Sequence, residues 1–174
     1  MPQPAINKGL IYLVGYMATG KSTIGKQLAT ALQYNFIDTD LQIEVQEQKT
    51  ISEIFKHSGE AYFRQKEHEC ITNTGKLINT IVATGGGTPI YNNNMEYMLQ
   101  HGIVIWLHTS VANIIERVQQ SPQKRPLIMH LSNEELTKKI TAHGIERVPI
   151  YSKAHYSFDS HTTNALKIIE FLNL

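Results

Sequence analysis

The stretch GYMATGKST, residues 15–23, decides the fold of this chain. Two glycines bracket four residues, and a lysine and a hydroxyl residue follow at once, which is the pattern of a phosphate-binding loop. The apolar run LIYLV (10–14) precedes it and a helical stripe from 21 to about 32 follows, so the motif has the strand–loop–helix context that it requires. Glycines let backbone N–H groups approach phosphate oxygens, and the helix N-terminus adds a partial positive charge. We therefore expect a nucleoside triphosphate site rather than a turn without function.

Individual residues of this loop have predicted roles. Lys21 is placed to bridge the β- and γ-phosphates, and the hydroxyl of Ser22 is placed to ligate Mg²⁺. The other residues predicted to bind ATP in this segment are Gly15, Ala18, Thr19, Gly20 and Thr23.

Composition narrows the class of protein. The chain has 174 residues, enough for one domain with its own core, and its formal charge of +1 gives no general basic surface for nucleic acid or an anionic membrane. The single cysteine, Cys70, cannot form an internal disulfide and is expected to be a small buried helix residue. The apolar run near the N-terminus is too short to span a bilayer. We therefore expect a single cytoplasmic domain, residues 1–174, whose histidines form no metal site.

Predicted strands and helices alternate along the chain. Strands are predicted at 10–14, 34–40, 79–87, 102–108 and 155–160, and helices at 21–32, 41–77 with a break near 57–59, 92–100, 110–120, 133–147 and 163–173. This order predicts right-handed crossovers, and hence an α/β fold with a mainly parallel sheet and helices on both faces. Ligands of such sheets bind beyond the carboxyl ends of the strands, where Gly15, Asp38 and Gly85 are expected to converge.

The segment FIDTD ends the second predicted strand in Asp38 and Asp40. Residues two apart on an extended segment point to the same side, so both carboxylates are expected to face the crevice. One can hold Mg²⁺ through water, and the other can accept a proton from a substrate hydroxyl. The alternative is an aspartate N-cap for a helix that starts near Leu41.

The segment GEAYFRQKE (59–67) places Arg64 about one helical turn from both Glu60 and Glu67. One interpretation is a solvated salt-bridge face without a special role. The other is a planar guanidinium that binds a substrate carboxylate, with Glu67 orienting it and Phe63 as an apolar wall.

Three further segments bear on the substrate. The glycines of ATGGGT (83–88) suit close approach by a backbone or a ligand, and a flexible turn is the alternative. Residues 121–132 are polar and contain two prolines, which predicts a surface flap whose Arg125 reaches the transferring phosphoryl group. Arg147 precedes Pro149 at a predicted helix end, where its alternative role is that of a favourable C-terminal cation.

In succession, GYMATGKST, FIDTD, GEAYFRQKE, IVATGGG, KRPLI and RVPIY resemble the motifs of shikimate kinases, in the same order from Gly15 to about Asp159. The resemblance implies a P-loop fold of the nucleoside-monophosphate-kinase type. Its three layers would contain a central five-stranded parallel sheet, with a substrate-binding helical region at about 41–77 and a lid at about 121–132. It also implies transfer of the γ-phosphate of ATP to the 3-hydroxyl of shikimate, with Mg²⁺ as cofactor, in the route to chorismate and aromatic amino acids.

The resemblance also implies the roles of particular residues. Asp40 would be the base at the accepting hydroxyl, with Lys21 and Arg125 supplying positive charge at the phosphates. Asp38 would hold Mg²⁺ through water beside Ser22. Residues implied to bind shikimate are Asp40, Phe63, Arg64, Glu67, Gly85, Gly86, Gly87 and Arg147; the two arginines would grip the carboxylate, and Gly86 would act through its backbone. Arg117 would stack on adenine.

Two alternatives are another small-metabolite kinase of the same fold, similar to gluconate kinases, and a nucleotide-binding regulator without turnover. The residues of the acceptor site argue against the first, and the intact phosphate loop argues against the second. ATP and shikimate are the expected small-molecule partners. Neither nucleic acid nor a membrane is expected as a partner, and the protein is expected to be a monomer.

Overall fold

The computed structural model describes residues 9–120 and 131–174. Strands β1 to β5 span Leu10–Val14, Asn35–Asp38, Thr80–Ala83, Ile103–His108 and Tyr156–Asp159. Helices α1 to α7 span Lys21–Leu32, Thr39–Glu47, Ile51–Thr74, Asn94–His101, Val111–Gln119, Asn133–Tyr151 and Ala165–Leu172, and a short 3₁₀ helix covers Thr88–Ile90. The predicted alternation of strands and helices is confirmed.

The strands form one parallel sheet in the order β2-β3-β1-β4-β5. In the register of the sheet, Ala83 at the end of β3 lies opposite both Leu13 of β1 and Asp38 of β2. Because all strands run the same way, the segments that follow β1, β2 and β3 leave the sheet at one edge. The predicted five-stranded parallel α/β fold is therefore confirmed, and its crevice lies where the sequence placed it.

Both faces of the sheet are covered, which explains the unbroken apolar run of β1. Leu10, Tyr12 and Val14 pack on one face in a cluster that includes residues of α3 and α4. Ile11 and Leu13 pack on the other face against residues of α1 and α7. A strand that is buried on both faces has no position for a solvent-exposed polar residue. The alternation of apolar and polar residues is therefore absent from β1.

The second strand ends earlier than predicted. Strand β2 stops at Asp38, and α2 begins at once, so Asp40 lies in the first helical turn. Asp38 is the N-cap, with its Oδ1 accepting from the backbone N–H groups of Asp40 at 3.2 Å and Leu41 at 3.4 Å. The expectation that both aspartates share an extended segment is wrong, because capping satisfies helix N–H groups that would otherwise be left open.

Two helices test the predictions made from glycine and proline. The break predicted near 57–59 is confirmed as a kink at Gly59, which has φ 81° inside α3. The predicted helix end at 147 is wrong, since α6 continues through Pro149 to Tyr151. Pro149 falls in the final turn, where its missing N–H costs one hydrogen bond, and the buried Tyr151 anchors that turn. Arg147 therefore precedes the last turn, so its alternative role as a C-terminal cation does not apply.

Across residues 9–120 and 131–174, the structure contains no helix with the length and apolarity needed to cross a membrane.

Candidate active site

The backbone of the phosphate loop lies close to Gly86, the second of the three glycines after β3. A Cβ on Gly86 would lie 3.2 Å from the backbone nitrogen of Met17. Gly15 has φ 140°, and a Cβ there would collide with the carbonyl oxygen of Leu107. At Gly86 the predicted close approach of a backbone is therefore confirmed, in preference to a flexible turn.

The lysine of the phosphate loop folds back over the loop. Nζ of the buried Lys21 donates to the carbonyl oxygens of Gly15 at 2.8 Å and Tyr16 at 2.7 Å. A phosphate oxygen that approached the loop would replace these carbonyls as acceptor. Gly20, with φ 87°, is the N-cap of α1 and leaves the first N–H groups of that helix pointing into the loop.

The remaining residues of the loop occupy its inner and outer sides. Thr19 is buried, and its hydroxyl donates to the carbonyl of Tyr16 at 2.8 Å. Ala18 adopts φ 61°, a left-handed conformation that a residue with a side chain occupies at some cost. Ser22 and Thr23 are exposed in the first turn of α1.

The two residues predicted to hold Mg²⁺ lie side by side. The hydroxyl of Ser22 donates to Oδ2 of Asp38 at 2.6 Å, across the gap between the loop and β2. The described residues contain no group of three or more His, Cys, Asp or Glu side chains that could hold a metal. Mg²⁺ in nucleotide sites takes one or two protein oxygens and completes its shell with water and phosphate, so this hydroxyl–carboxylate pair fits it.

Asp40 is the most perturbed carboxyl group of the crevice. Its Oδ1 is buried and accepts no hydrogen bond from any residue that the structure describes. Burial, followed by the charges of Glu67 and Asp38, raises the pKa of Asp40 from its ordinary value of 3.8 to about 7, although Lys21 opposes the shift. A carboxyl group poised near neutral pH suits proton transfer at a substrate hydroxyl.

Arg64 is held from two sides by carboxylates. Nη1 donates to Glu67 at 2.6 Å, while Nε and Nη2 both donate to Oε1 of Glu60 at 3.1 and 2.9 Å. The ring of Tyr91 lies 4.3 Å from the guanidinium carbon. Since Glu67 is itself buried, the pair is not the solvated salt-bridge face that one interpretation proposed. The predicted contact between Arg64 and Glu67 is confirmed, and the role of Arg64 at a substrate carboxylate stays a prediction.

Glu67 joins this arginine to the turn after β3. Its Oε1 accepts from the hydroxyl of the buried Thr88 at 2.5 Å. Burial raises the pKa of Glu67, while Arg64, the Thr88 hydrogen bond and Arg147 oppose the shift. Both arginines expected at the acceptor carboxylate thus interact electrostatically with one buried glutamate.

Each of the three glycines faces a different part of the site. A Cβ on Gly85 would lie 2.6 Å from Oδ1 of Asp40, and one on Gly87 would lie 2.6 Å from Nη1 of Arg64. The carbonyl of Gly86 accepts from the hydroxyl of Tyr151 at 2.5 Å and from Nη1 of Arg147 at 3.5 Å. The glycine turn is therefore the floor of the crevice, in contact with the phosphate loop, α2, α3 and α6.

Two other predicted residues lie at the margins of the site. Nη1 of Arg117 donates to the carbonyl of Ala18 at 3.0 Å and to the hydroxyl of Ser160 at 3.1 Å, which places it beside the nucleotide loop. Phe63 is buried in a cluster with Ile43 and Ile54, and its ring centre lies 5.3 Å from the guanidinium carbon of Arg64. Phe63 lies next to Arg64 as part of the core, and its role as a substrate wall stays a prediction.

Arg125 and residues 121–130 of the predicted lid lie outside the described residues.

Cys70 is buried, and burial raises the pKa of its thiol to about 11, so the expectation of an unreactive helix residue is confirmed.

Four residues of the site were missed from sequence: Tyr16, Thr88, Tyr91 and Tyr151. Tyr16 stands inside the phosphate-loop motif, Thr88 directly follows the glycines, and Tyr151 lies four residues after Arg147 on the same helical face. Their proximity to the motifs could have identified Tyr16, Thr88 and Tyr151 as candidate site residues. Tyr91 had no such signal, because its contact with Arg64 spans a turn whose path the sequence does not specify.

Comparison with protein families and known proteins agrees with this geometry. The family model of shikimate kinase matches residues 17–173. The chain is 38% identical to the shikimate kinase of Flavobacterium psychrophilum over 162 residues, which are 92% of this chain and 94% of that protein. It is 42% identical to the shikimate kinase of Clostridium botulinum strain Loch Maree over 146 residues, 83% of this chain and 84% of that one.

Solved structures give the same result. The crystal structure of shikimate kinase from Bacteroides thetaiotaomicron superposes with a TM-score of 0.90 at 32% identity, covering 95% of this chain and 98% of that one. Shikimate kinase from Acinetobacter baumannii, solved in complex with shikimate, superposes with a TM-score of 0.84 at 32% identity, covering 95% of this chain and 91% of that one.

Proposed function

The chain belongs to the shikimate kinase family, and on that premise we propose that it transfers the γ-phosphate of ATP to the 3-hydroxyl of shikimate. The products would be ADP and shikimate 3-phosphate, in the route to chorismate and aromatic amino acids. The observation that carries the proposal is the position of Asp40. Asp40 lies in the crevice between the phosphate loop and Arg64. Its pKa is raised, and its buried Oδ1 accepts no hydrogen bond from the described residues.

The acceptor's carboxylate is assigned to Arg64 and Arg147. The two side chains approach neighbouring glycines, Arg64 at Gly87 and Arg147 at Gly86, and both act on the pKa of Glu67. A planar carboxylate between two guanidinium groups forms charge-assisted hydrogen bonds that fix its direction as well as its position. A ring held in this way would present a hydroxyl group to Asp40, which lies against Gly85 on the same floor.

The transfer step requires Asp40 in its ionised form. The carboxylate accepts the proton of the substrate hydroxyl while that oxygen forms a bond to the γ-phosphorus, and the bond to the β–γ bridging oxygen breaks to release ADP. Lys21 exchanges its two loop carbonyls for phosphate oxygens and neutralises charge there. Most of the rate enhancement comes from this positioning and neutralisation, since the protein supplies no covalent intermediate.

Mg²⁺ is the proposed cofactor, held directly by Ser22 and through water by Asp38. When bound, it neutralises charge on the β- and γ-phosphates. The two side chains that would hold the ion already lie within 2.6 Å of each other. Arg125 is proposed to act on the transferring phosphoryl group and Arg117 on adenine. We also propose that the protein works as a cytoplasmic monomer.

Release of ADP from MgATP tests the proposal, with shikimate, quinate, gluconate and no acceptor compared in parallel. We expect turnover of about 1–100 s⁻¹ with shikimate alone. A Lys21→Ala variant controls for contaminating kinases. Turnover with gluconate or quinate instead would keep the fold and overturn the acceptor site, and ATP binding without turnover would favour a regulator.

A further inference from the structure

Tyr16 contacts two successive turns of α6 from inside the phosphate loop. Its hydroxyl forms a 2.8 Å hydrogen bond with Nδ1 of His143, and its ring centre lies 5.2 Å from the guanidinium carbon of Arg147. His143 and Arg147 are four residues apart on one helical face, so one aromatic side chain spans both. Only 8% of Tyr16 is exposed, and it packs against buried residues of α5 and α6.

We propose that Tyr16 is a positioning residue for Arg147, and through it for the carboxylate of the acceptor. The inference rests on the proposed function for the identity of that acceptor. The ring offers its electron-rich face to the guanidinium, and the hydroxyl fixes the ring to the helix that carries the arginine.

The hydroxyl contact has a consistent protonation state. Burial and the nearby cations Arg147 and Lys139 lower the pKa of His143, so its imidazole is neutral near pH 7. Burial raises the pKa of Tyr16, so its hydroxyl keeps its proton. A neutral imidazole can accept a hydrogen bond from the Tyr16 hydroxyl at Nδ1, which holds the His143 turn of α6 against the loop.

The same residue belongs to the nucleotide loop. Its carbonyl accepts from Nζ of Lys21 and from the hydroxyl of Thr19. Tyr16 therefore contacts both Lys21, which is expected to bind phosphate, and Arg147, which is assigned to the carboxylate of the acceptor. A side chain with only a packing role would affect both substrates together.

Steady-state kinetics of three variants separates these roles. Tyr16→Leu removes the ring face and is expected to raise KM for shikimate about 3- to 10-fold, the size of one cation–π contact, while KM for ATP changes by less than about 2-fold. Tyr16→Phe keeps the ring and loses the hydroxyl, so its effect on KM for shikimate should be about 2-fold. Tyr34→Leu, at a partly buried tyrosine packed in the separate cluster between the sheet and helices α1 and α7, is the matched control and should change neither KM.

A double-mutant cycle tests whether Tyr16 acts through Arg147. In an Arg147→Ala background, Tyr16→Leu should change kcat/KM for shikimate by less than about 1.5-fold. The same fold-change in both backgrounds, or an equal rise in KM for ATP, would overturn the inference. The denaturation midpoints of the wild type, Tyr16→Leu, Arg147→Ala and the double variant test the contact without substrate. Shifts in midpoint that do not add support the contact, and shifts that add overturn it. The denaturation experiment tests the contact between Tyr16 and Arg147 even if the wild-type protein does not phosphorylate shikimate. Absence of that activity would overturn the proposed function instead.

Discussion

Replacing Asp40 by asparagine is expected to stabilise the fold at alkaline pH while it abolishes phosphoryl transfer. Burial, then the charges of Glu67 and Asp38, raise the pKa of Asp40 from 3.8 to about 7. The folded chain therefore keeps a proton between about pH 4 and pH 7 that the unfolded chain has released. Stability is lost as pH rises through this window, and above about pH 7 the loss is complete. A neutral asparagine does not undergo this loss.

The expected gain follows from the pKa shift. Each pH unit within the window corresponds to about 1.4 kcal/mol, so the change from about pH 5 to about pH 8.5 costs the wild type up to about 2.7 kcal/mol. Because relaxation of the surroundings and entry of water offset part of the cost of a buried charge, we expect roughly half of this, about 1–1.5 kcal/mol. For a chain of this length that equals a rise in Tm of about 3–5 °C relative to the wild type.

Urea unfolding at about pH 5 and about pH 8.5 measures the effect in both proteins. Glu170→Gln, a carboxyl-to-amide exchange at an exposed residue of α7, is the control and should stay within about 0.5 kcal/mol at both pH values. In the ADP-release assay, Asp40→Asn should lower kcat at least about 100-fold. If Asp40→Asn stabilises the protein equally at both pH values, or destabilises it at alkaline pH, the claim that the ionised Asp40 carboxylate destabilises the fold is refuted.

Four further predictions concern the reaction. kcat/KM for shikimate should fall about tenfold per pH unit below an apparent pKa near 7, because Asp40 must be ionised; a flat profile from about pH 5.5 to 8 would contradict this. Arg64→Ala should raise KM for shikimate well over tenfold, and an unchanged KM would restore the structural salt bridge as its only role. Ser22→Ala should raise the Mg²⁺ concentration for half-maximal rate about tenfold in a metal titration, with an unchanged requirement counting against direct ligation. Arg125→Ala should lower kcat more than it weakens substrate binding, and an unchanged kcat would remove Arg125 from the catalytic residues.

The parts of the fold that were predictable from sequence are those that local patterns determine. The run at 10–14 could be identified as a buried strand because both of its faces are covered, and the phosphate loop because its glycines, lysine and serine are contiguous. The pairing of Arg64 with Glu67 was also predictable, since the residues are one helical turn apart.

Contacts between distant segments were not predictable in the same way. Tyr16 and His143 are 127 positions apart, and their hydrogen bond depends on how α6 is placed against the loop. The end of α6 was misplaced because Pro149 usually ends a helix, whereas the tertiary contact of Tyr151 with Gly86 extends this one. Asp40 was assigned to an extended segment because nothing in FIDTD shows whether the strand or the capped helix takes the last two residues.

Identification of the phosphorylated product tests the central claim most directly. Purified protein is incubated with MgATP and shikimate, and the product is analysed by phosphorus and proton NMR. The account predicts one phosphate ester, on the 3-hydroxyl, formed in equal amount to ADP. A phosphate on another hydroxyl, or ADP accompanied only by inorganic phosphate, would contradict the proposed alignment of the acceptor by Asp40, Arg64 and Arg147.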